Sequence, residues 1–562
     1  AFALLPDAVW SARRKMQKAT ILAGLMFGMT FSSLAQEEFR AAWADVFHDG
    51  MASQSQVDTM VSTLVSGNYN AVIVQVVAYM DNSTASHGAM YKSNILPWSS
   101  RVKSNFDPLA YLCQQAHANG IEVHAWMGGS GGAMYRVSTS FPPAGNATLG
   151  AHPEWFIAPY VNSEGGAPIQ VDGNYCLDMG SSDVQEYIIS IVRELVTNYP
   201  IDGINWDDEL NGAGYTAGFG YPAYDQASYP RSGLARYRNN TGYVGTPINT
   251  DTAWADYRRR FKNELMARAQ AEMQSIKTNP RQPLRHTTAA LAYSPVPSSC
   301  NFVGSAPYTY FCDWASMLQN GWVDAVVPQT YSSSTFNTWA DRSASCWQYD
   351  RHIFPGIGGY LNSDSTILNM INYTRSKGLK GNAIYSYGVP TSGSGSGSGW
   401  WAVAASTVYT NVVSTPSMPW RNPATATEGI VWGRVKDNIT GLYVDDATVT
   451  VTGGPTVKTD GNGYYVATLV PAIASGTAHL TTASKSGNIS QSTNAIALAG
   501  DIVRYDLLLN VGPTAPTAPS GLTATAISTS QIKLTWTDNA TNEAAYVVGR
   551  STVSGSGYAD IV

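Results

Sequence analysis

Tyr199-Pro200-Ile201-Asp202-Gly203-Ile204-Asn205-Trp206-Asp207-Asp208-Glu209 is the stretch whose reading decides the fold. It reads as a short strand that runs into three acidic residues. Side chains alternate along a strand, so Gly203, Asn205 and Asp207 share one face and Ile204 and Trp206 the other. An apolar outer face, a polar inner face and carboxylates at the C-terminal end fit a (β/α)8 barrel, whose chemistry gathers at the C-terminal ends of its strands. The competing reading makes Asp207, Asp208 and Glu209 loop carboxylates that cap a turn or face solvent.

Upstream, Asp183 to Tyr199 places Val184, Tyr187, Ile188, Ile191, Val192 and Leu195 at helical spacing. Further back the same alternation recurs. Glu38 to Ala44 reads as a strand, Ser53 to Ser66 as a helix, and Ala71 to Val77 as a buried parallel strand. Asp107 caps a helix that opens with Pro108, Asn119-Gly120 stops it, and Ile121 to Met127 is the third strand. Downstream, Trp254 to Ile276 and Trp314 to Leu318 are helices between strands at Arg285–Ala292, Val323–Thr330 and His352–Ile357. Ser365 to Lys377, a strand at Gly381–Tyr387 and a closing helix at Ala402–Val413 complete the cycle. Strand following helix eight times predicts an α/β fold, a (β/α)8 TIM barrel followed by small all-β sandwich domains. The Gly-Ser run between Thr391 and Trp400 resembles a linker and falls in the last strand-to-helix loop.

Beyond Thr427 the texture changes to short β-branched segments separated by turns such as Asp460-Gly461-Asn462-Gly463. The expected organisation is a leader and signal peptide over 1–35, the barrel over 36–425, a β-sandwich over 426–512, and the first half of a further sandwich over 513–562. Met16-Gln17-Lys18, the apolar run Ala19 to Phe31 and Ser33-Leu34-Ala35 carry the signal-peptide pattern, with Met16 as the start. The chain is therefore expected outside the cell or at its surface, with no membrane span.

Composition narrows the class. Of 562 residues only 13% are charged, the net charge is −6, and there are 32 Tyr and 16 Trp. No basic stripe suits a nucleic acid. Aromatic abundance suits a partner with flat apolar faces, such as sugar rings. Five Cys include no C-x-x-C, so no zinc ribbon is expected, nor a metal or other cofactor. Cys300 with Cys312 is the preferred disulfide.

In a barrel the strand ends converge. They would bring together Trp43, Asp45, Gln75, His124, Trp126, Asn205, Asp207, Asp208, Glu209, Tyr293, Gln329, Tyr331, Tyr385 and Tyr387. Glycoside hydrolysis needs two carboxyl groups flanking the scissile bond. Asp207 and Asp208 lead as catalytic residues, with Glu209 as a second carboxylate or a plain loop residue. Trp43, Gln75, His124, Trp126, Asn205, Tyr293, Gln329, Tyr331 and Tyr385 would bind substrate. His124 has the alternative of a satisfied core histidine. Asp45 and Asp178 are weaker candidates, while Asp202 and Asp324, at strand starts, belong to the stability face. The expected partner is a poly- or oligosaccharide, bound by a monomer. The same pocket could instead bind sugar without catalysis, as in a carbohydrate-binding or cell-wall adhesion protein. Gly128-Gly129-Ser130-Gly131-Gly132 matches an esterase G-x-S-x-G, but no helix follows it, so Ser130 is a weaker alternative.

Residues 38–390 resemble the family 10-like glycosyl hydrolases. The resemblance rests on Phe39-Arg40-Ala41-Ala42-Trp43, Phe106-Asp107-Pro108-Leu109, Val123-His124-Ala125-Trp126, Asp202 to Asp208, Tyr257-Arg258-Arg259 and Pro328-Gln329-Thr330-Tyr331. It implies a secreted glycosidase barrel, some relatives acting on peptidoglycan glycan strands, with Asp207 and Asp208 catalytic and His124, Trp126, Gln329 and Tyr331 lining the site. The 427–510 segment resembles carboxypeptidase-regulatory-like sandwiches, and 516–562 the first half of a fibronectin type III domain.

Overall fold

The structure is a computed structural model. It describes residues 37–48, 50–128, 136–137, 140–159, 167–168, 170–171, 174–207, 228–229, 231–248, 251–346, 350–511, 518–529, 531–539, 546, 548–553 and 559–560. The signal-peptide segment, Ser130, Asp208 and Glu209 lie outside these residues.

Strands and helices alternate along the chain. They are β1 (Phe39–Ala44), α1 (Gln54–Ser66), β2 (Ala71–Val77), α2 (Pro108–Ala118), β3 (Glu122–Met127), α3 (Ser182–Asn198), β4 (Gly203–Asp207) and α4 (Thr252–Ser275). The second half is β5 (Arg285–Ala290), α5 (Trp314–Gln319), β6 (Ala325–Pro328), α6 (Ser333–Cys346), β7 (His352–Ile353 with Gly356–Gly358), α7 (Asp364–Ser376), β8 (Gly381–Tyr385) and α8 (Trp400–Thr407). Every pairing in the sheet is parallel. The ring closes through β7: its first part pairs with β6, its second with β8. Phe354 N still bonds Val326 O at 2.9 Å across the break between them. This is a (β/α)8 barrel, and the sandwich follows it.

Local sequence explains the elements. Ser53, Asp107, Ser181, Asp251, Asp313 and Ser363 each accept a first-turn N–H from the helix they open. Each such cap is worth about 1 kcal/mol. α3 buries Val184, Ile188, Ile191, Val192 and Leu195 against the outer face of the sheet, where Ile204 and Trp206 point. Burying a side chain of that size contributes about 1.5–3 kcal/mol. The barrel interior is a separate cluster of Phe39, Ala41, Trp43, Ala71, Ile73, Trp126, Ala289, Val327, Phe354 and Ala383. The alternation expected for β4 therefore holds, with Ile204 and Trp206 outward. Gly203 is demanded by crowding: a Cβ there would stand 2.2 Å from Arg285 O and 2.6 Å from His124 Nδ1. Gly203→Ala should therefore cost about 3 kcal/mol, read as a lower urea midpoint.

Three features depart from the sequence reading. The closing helix ends at Thr407. The chain then crosses the bottom of the barrel, taking bonds from Arg40 to Asn411 O, Asn70 to Val413 O and Glu38 N to Ser414 O. Arg40 and Asn70 also bond Asn68 O and Glu38 O within the barrel, and the crossing segment adds acceptors that tie its path to the strand starts. α6, rich in Ser, Thr and Asp, buries Phe336, Trp339 and Ala340 on one face, yet too few apolar residues mark it in the sequence. The disulfide joins Cys300 to Cys346, not Cys300 to Cys312. Cys346 ends α6 beside the Cys300 loop, whereas the Cys312 thiol is buried inward, 3.6 Å from Lys262 Nζ. Cys113, Cys176 and Cys312 are buried and in no disulfide.

After the barrel, Glu428–Asp437, Tyr464–Pro471, Asn488–Ile489, Ile502–Arg504 and Leu507–Val511 form one sheet. Thr448–Val451, Thr456–Lys458, Thr477–Ser484 and Gln491–Ala497 form the other. Val431, Val435, Val449, Tyr465 and Leu509 fill the space between them. The sandwich packs Ile430, Trp432, Tyr464 and Val466 on Ala267 and Ala271 of α4. Beyond it, Ser520–Ala526 and Ile532–Thr537 form an exposed hairpin.

Candidate active site

The inward side chains near the strand C-termini form an aromatic mouth. Tyr331, after β6, stacks on Tyr385, at the end of β8, with ring centres 5.6 Å apart. Trp43 meets both edge-on at 6.3 and 6.2 Å, and Trp126 meets Tyr385 at 6.3 Å. Tyr360, absent from the sequence candidates, joins them at 6.2 Å from Tyr331 and 6.0 Å from Tyr385. Its signal was weak: Gly359-Tyr360-Leu361 follows β7 as a single helical turn, with no strand pattern of its own. The ring is 42% exposed, so its face is open to a partner.

Asp207 ends β4 on the inward face and is 4% exposed. Two residues earlier on that face, Asn205 is fully buried; its Nδ2 donates to Thr287 Oγ1 at 2.8 Å, while its Oδ1 has no donor among the described residues. Trp126 pairs with Asn205 in register on the neighbouring strand, and its buried Nε1 has no acceptor among the described residues. An unused acceptor and an unused donor side by side in the floor are costly in a closed core, about 1–3 kcal/mol each, and are suited to a polar ligand.

Behind Asp207 lies a buried cation. Lys262 of α4 is 1% exposed and interacts electrostatically with Asp207 and Asp313 as well as with Cys312. Burial lowers its ammonium pKa, and these neighbours oppose that shift. Asp313 caps α5, and burial raises its carboxyl pKa. Lys262 was missed because a lysine inside a helical repeat reads as a solvated residue.

Other candidates take different places. His124 is fully buried one layer below the mouth; its Nε2 lies 3.0 Å from Glu122 Oε2 and its ring packs edge-on to Phe39. It stands opposite Gly203 in the layer below Trp126 and Asn205. Gln75 is also fully buried and ties loops together, accepting from Val46 N at 3.0 Å and donating to Gly128 O at 2.5 Å. With both ends of its amide used, it positions backbone and does not face a sugar. Tyr293 lies in the loop after β5 and pairs edge-on with Tyr310, apart from the aromatic mouth. Gln329 is half-buried at the end of β6.

Asp178 is a clamp. Its fully buried carboxylate accepts from Gly180 N, Ser232 N and Gly233 N at 2.8, 2.7 and 3.1 Å, and burial pushes its pKa up to about 6. It fastens the approach to α3 to the helix Arg231–Thr241. Asp202 and Asp324 sit at the opposite end of the barrel, as expected. Asp202 bonds Val123 N and His117, and Asp324 bonds His286 N, Trp420 and Arg421.

Known proteins match this chain over part of its length. The glycosyl hydrolase DigH of Escherichia coli K12 is 29% identical over 255 residues, covering 43% of this chain and 52% of DigH. The glycosyl hydrolase YngK of Bacillus subtilis 168 is 24% identical over 370 residues, covering 60% of this chain and 64% of YngK. The chain thus spans about half the length of DigH and under two thirds of YngK. Among solved structures, an α-L-fucosidase isoenzyme 2 from Paenibacillus thiaminolyticus aligns with TM-score 0.43 at 12% identity, over 66% of this chain and 49% of its own. An endo-β-1,4-mannanase from Thermotoga petrophila aligns with TM-score 0.38 at 11% identity, over 84% and 99%. The glycosyl hydrolase-like 10 family matches residues 38–361, more than half of the 562-residue chain and the part that carries Asp207 and the aromatic mouth; the chain belongs to that family.

Proposed function

We propose that the chain is a secreted glycoside hydrolase that cleaves O-glycosidic bonds of a polysaccharide or cell-wall glycan. The observation that carries the reading is Asp207, buried on the inward face at the end of β4, above Asn205 and Trp126 atoms unpaired among the described residues and beside an aromatic wall. Sugar rings would lie on Tyr331, Tyr360 and Tyr385, which the buried Trp43 supports from below. Their hydroxyls would use the Asn205 acceptor and the Trp126 donor.

The buried Lys262 supports one role for Asp207. A neighbouring positive charge favours the ionised carboxyl. Asp207 therefore works as a carboxylate, either attacking the anomeric carbon or taking the proton of the attacking water. The leaving oxygen then takes its proton from a second carboxylic acid, for which Asp208 and Glu209 are the sequence candidates.

Single Asp207→Asn and Asp208→Asn variants test the reading against a panel of polysaccharides, including peptidoglycan glycan strands. Loss of at least about 10³-fold in kcat with an unchanged urea midpoint is expected of Asp207→Asn. Wild-type turnover in both variants would remove the assignment.

A further inference from the structure

The loop that leaves β1 carries an Asp–His pair that the proposed chemistry leaves unused. Asp45 follows β1 directly and is 5% exposed. Its Oδ1 accepts from Phe47 N at 2.8 Å and His48 N at 3.0 Å. Both of its oxygens also face His48 Nδ1, at 2.8 and 2.9 Å. The two side chains differ sharply in exposure, 46% for His48 against 1% for Asp45.

In the neutral imidazole the Nδ1 that faces the Asp45 carboxylate carries the ring proton, because an ionised carboxylate offers acceptors alone. Nε2 is then a bare acceptor, and it bonds no protein group among the described residues. A histidine kept for packing is usually buried with both nitrogens satisfied. Here a buried carboxylate sets the orientation of an open ring.

Its place is set equally firmly. A Cβ on Gly388, in the loop after β8, would come within 2.5 Å of His48 Cβ and 2.8 Å of its Cγ. Any side chain there would displace the imidazole. Tyr387 N donates to Trp43 O at 2.7 Å, which draws the β8 loop onto β1. Val46 N is held by Gln75, and Val46 O by Arg101 Nη1 at 2.5 Å. The imidazole thus stands on the rim between β1 and β8, the strands that deliver Trp43 and Tyr385 to the mouth.

We infer that His48 is a substrate-binding residue, its Nε2 accepting a hydrogen bond from a glycan hydroxyl, and that Asp45 is its positioning residue. This rests on the glycan reading above. His48→Ala raises KM about tenfold, the equivalent of one ligand hydrogen bond, and leaves kcat within about threefold. His48→Gln, which retains an acceptor oxygen, recovers part of the loss. Asp45→Asn can donate its amide to Nδ1, which moves the ring proton to Nε2 and turns the acceptor into a donor. KM then rises with His48 still present. Because Asp45→Asn also weakens the turn at Phe47, His48→Ala is the decisive variant, and an unchanged KM there overturns the inference. If the wild-type chain cleaves no glycan of the panel, the hydrolase reading fails separately. The inference is then decided by 15N spectra of the imidazole on adding the panel oligosaccharides. A displaced His48 Nε2 resonance sustains it, and a static one overturns it.

Discussion

Arg236→Met is expected to lower folding stability by about 3 kcal/mol. Arg236 lies on the helix Arg231–Thr241, and its side chain is 11% exposed. Its guanidinium bonds both oxygens of Asp445 at 2.8 Å, reaches Glu264 at 3.2 Å and donates to Gly180 O at 3.2 Å. Asp445 belongs to the sandwich, so one side chain joins the barrel, the helix and the second domain. Removing one member of a buried ion pair costs about 3–5 kcal/mol, because the remaining charges stay desolvated. Arg260 lies 2.6 Å from Glu264 and 3.7 Å from Asp445, so it compensates in part and sets the expectation at the lower end. An exposed interdomain pair, Lys277 with Asp501, is 56% and 38% exposed, and its removal should change stability by less than about 1 kcal/mol. Urea titrations of the full chain check both, read as midpoints at constant slope. Equal losses for the two variants would contradict burial as the deciding variable. The helix bearing Arg236 is also the one that Asp178 clamps, so glycan cleavage by Arg236→Met should fall even where the variant is folded.

What the sequence revealed follows from which forces act locally. The period-two alternation of β4, the helical spacing in α3 and the cap Asp107 are local rules, and each element stands where those rules place it. Trp43, Trp126, Tyr331 and Tyr385 meet because a barrel brings strand ends together, whatever the loops do. Features set by distant partners were hidden. Cys346 finds Cys300 through the path of α6. His124 shares a face with Trp126, but its height in the barrel, opposite Gly203 and below Trp126, is set by register with the neighbouring strand. Lys262 and His48 depend on neighbours from other elements, Asp207 in one case and Asp45 with Gly388 in the other.

Lys262 carries the second large effect. In Lys262→Met the acid limb of kcat/KM should move to higher pH by about one to two units. Lys262 and Asp207 are 1% and 4% exposed, and burial by itself drives each toward its neutral form. Each also holds the other charged. Each pKa unit by which a nearby cation holds a carboxyl down is worth about 1.4 kcal/mol. Removing the ammonium withdraws that attraction from the Asp207 carboxylate, so its pKa rises. At a given pH fewer molecules then carry the anion that attacks or accepts a proton, and activity lost on acidification disappears earlier. Above the displaced limb the variant should recover most of its wild-type rate, which separates an electrostatic effect from misfolding. Stability should fall, because removing the ammonium leaves the buried Asp207 and Asp313 carboxyls without the Lys262 cation. Cys312, 3.6 Å from Nζ, would then face a thioether and needs no counter-charge as a neutral thiol. A limb that stays in place would show that Asp207 is not the ionised catalytic group. A limb that moves while Asp207→Asn is inactive would tie the buried cation of α4 to the carboxylate of β4.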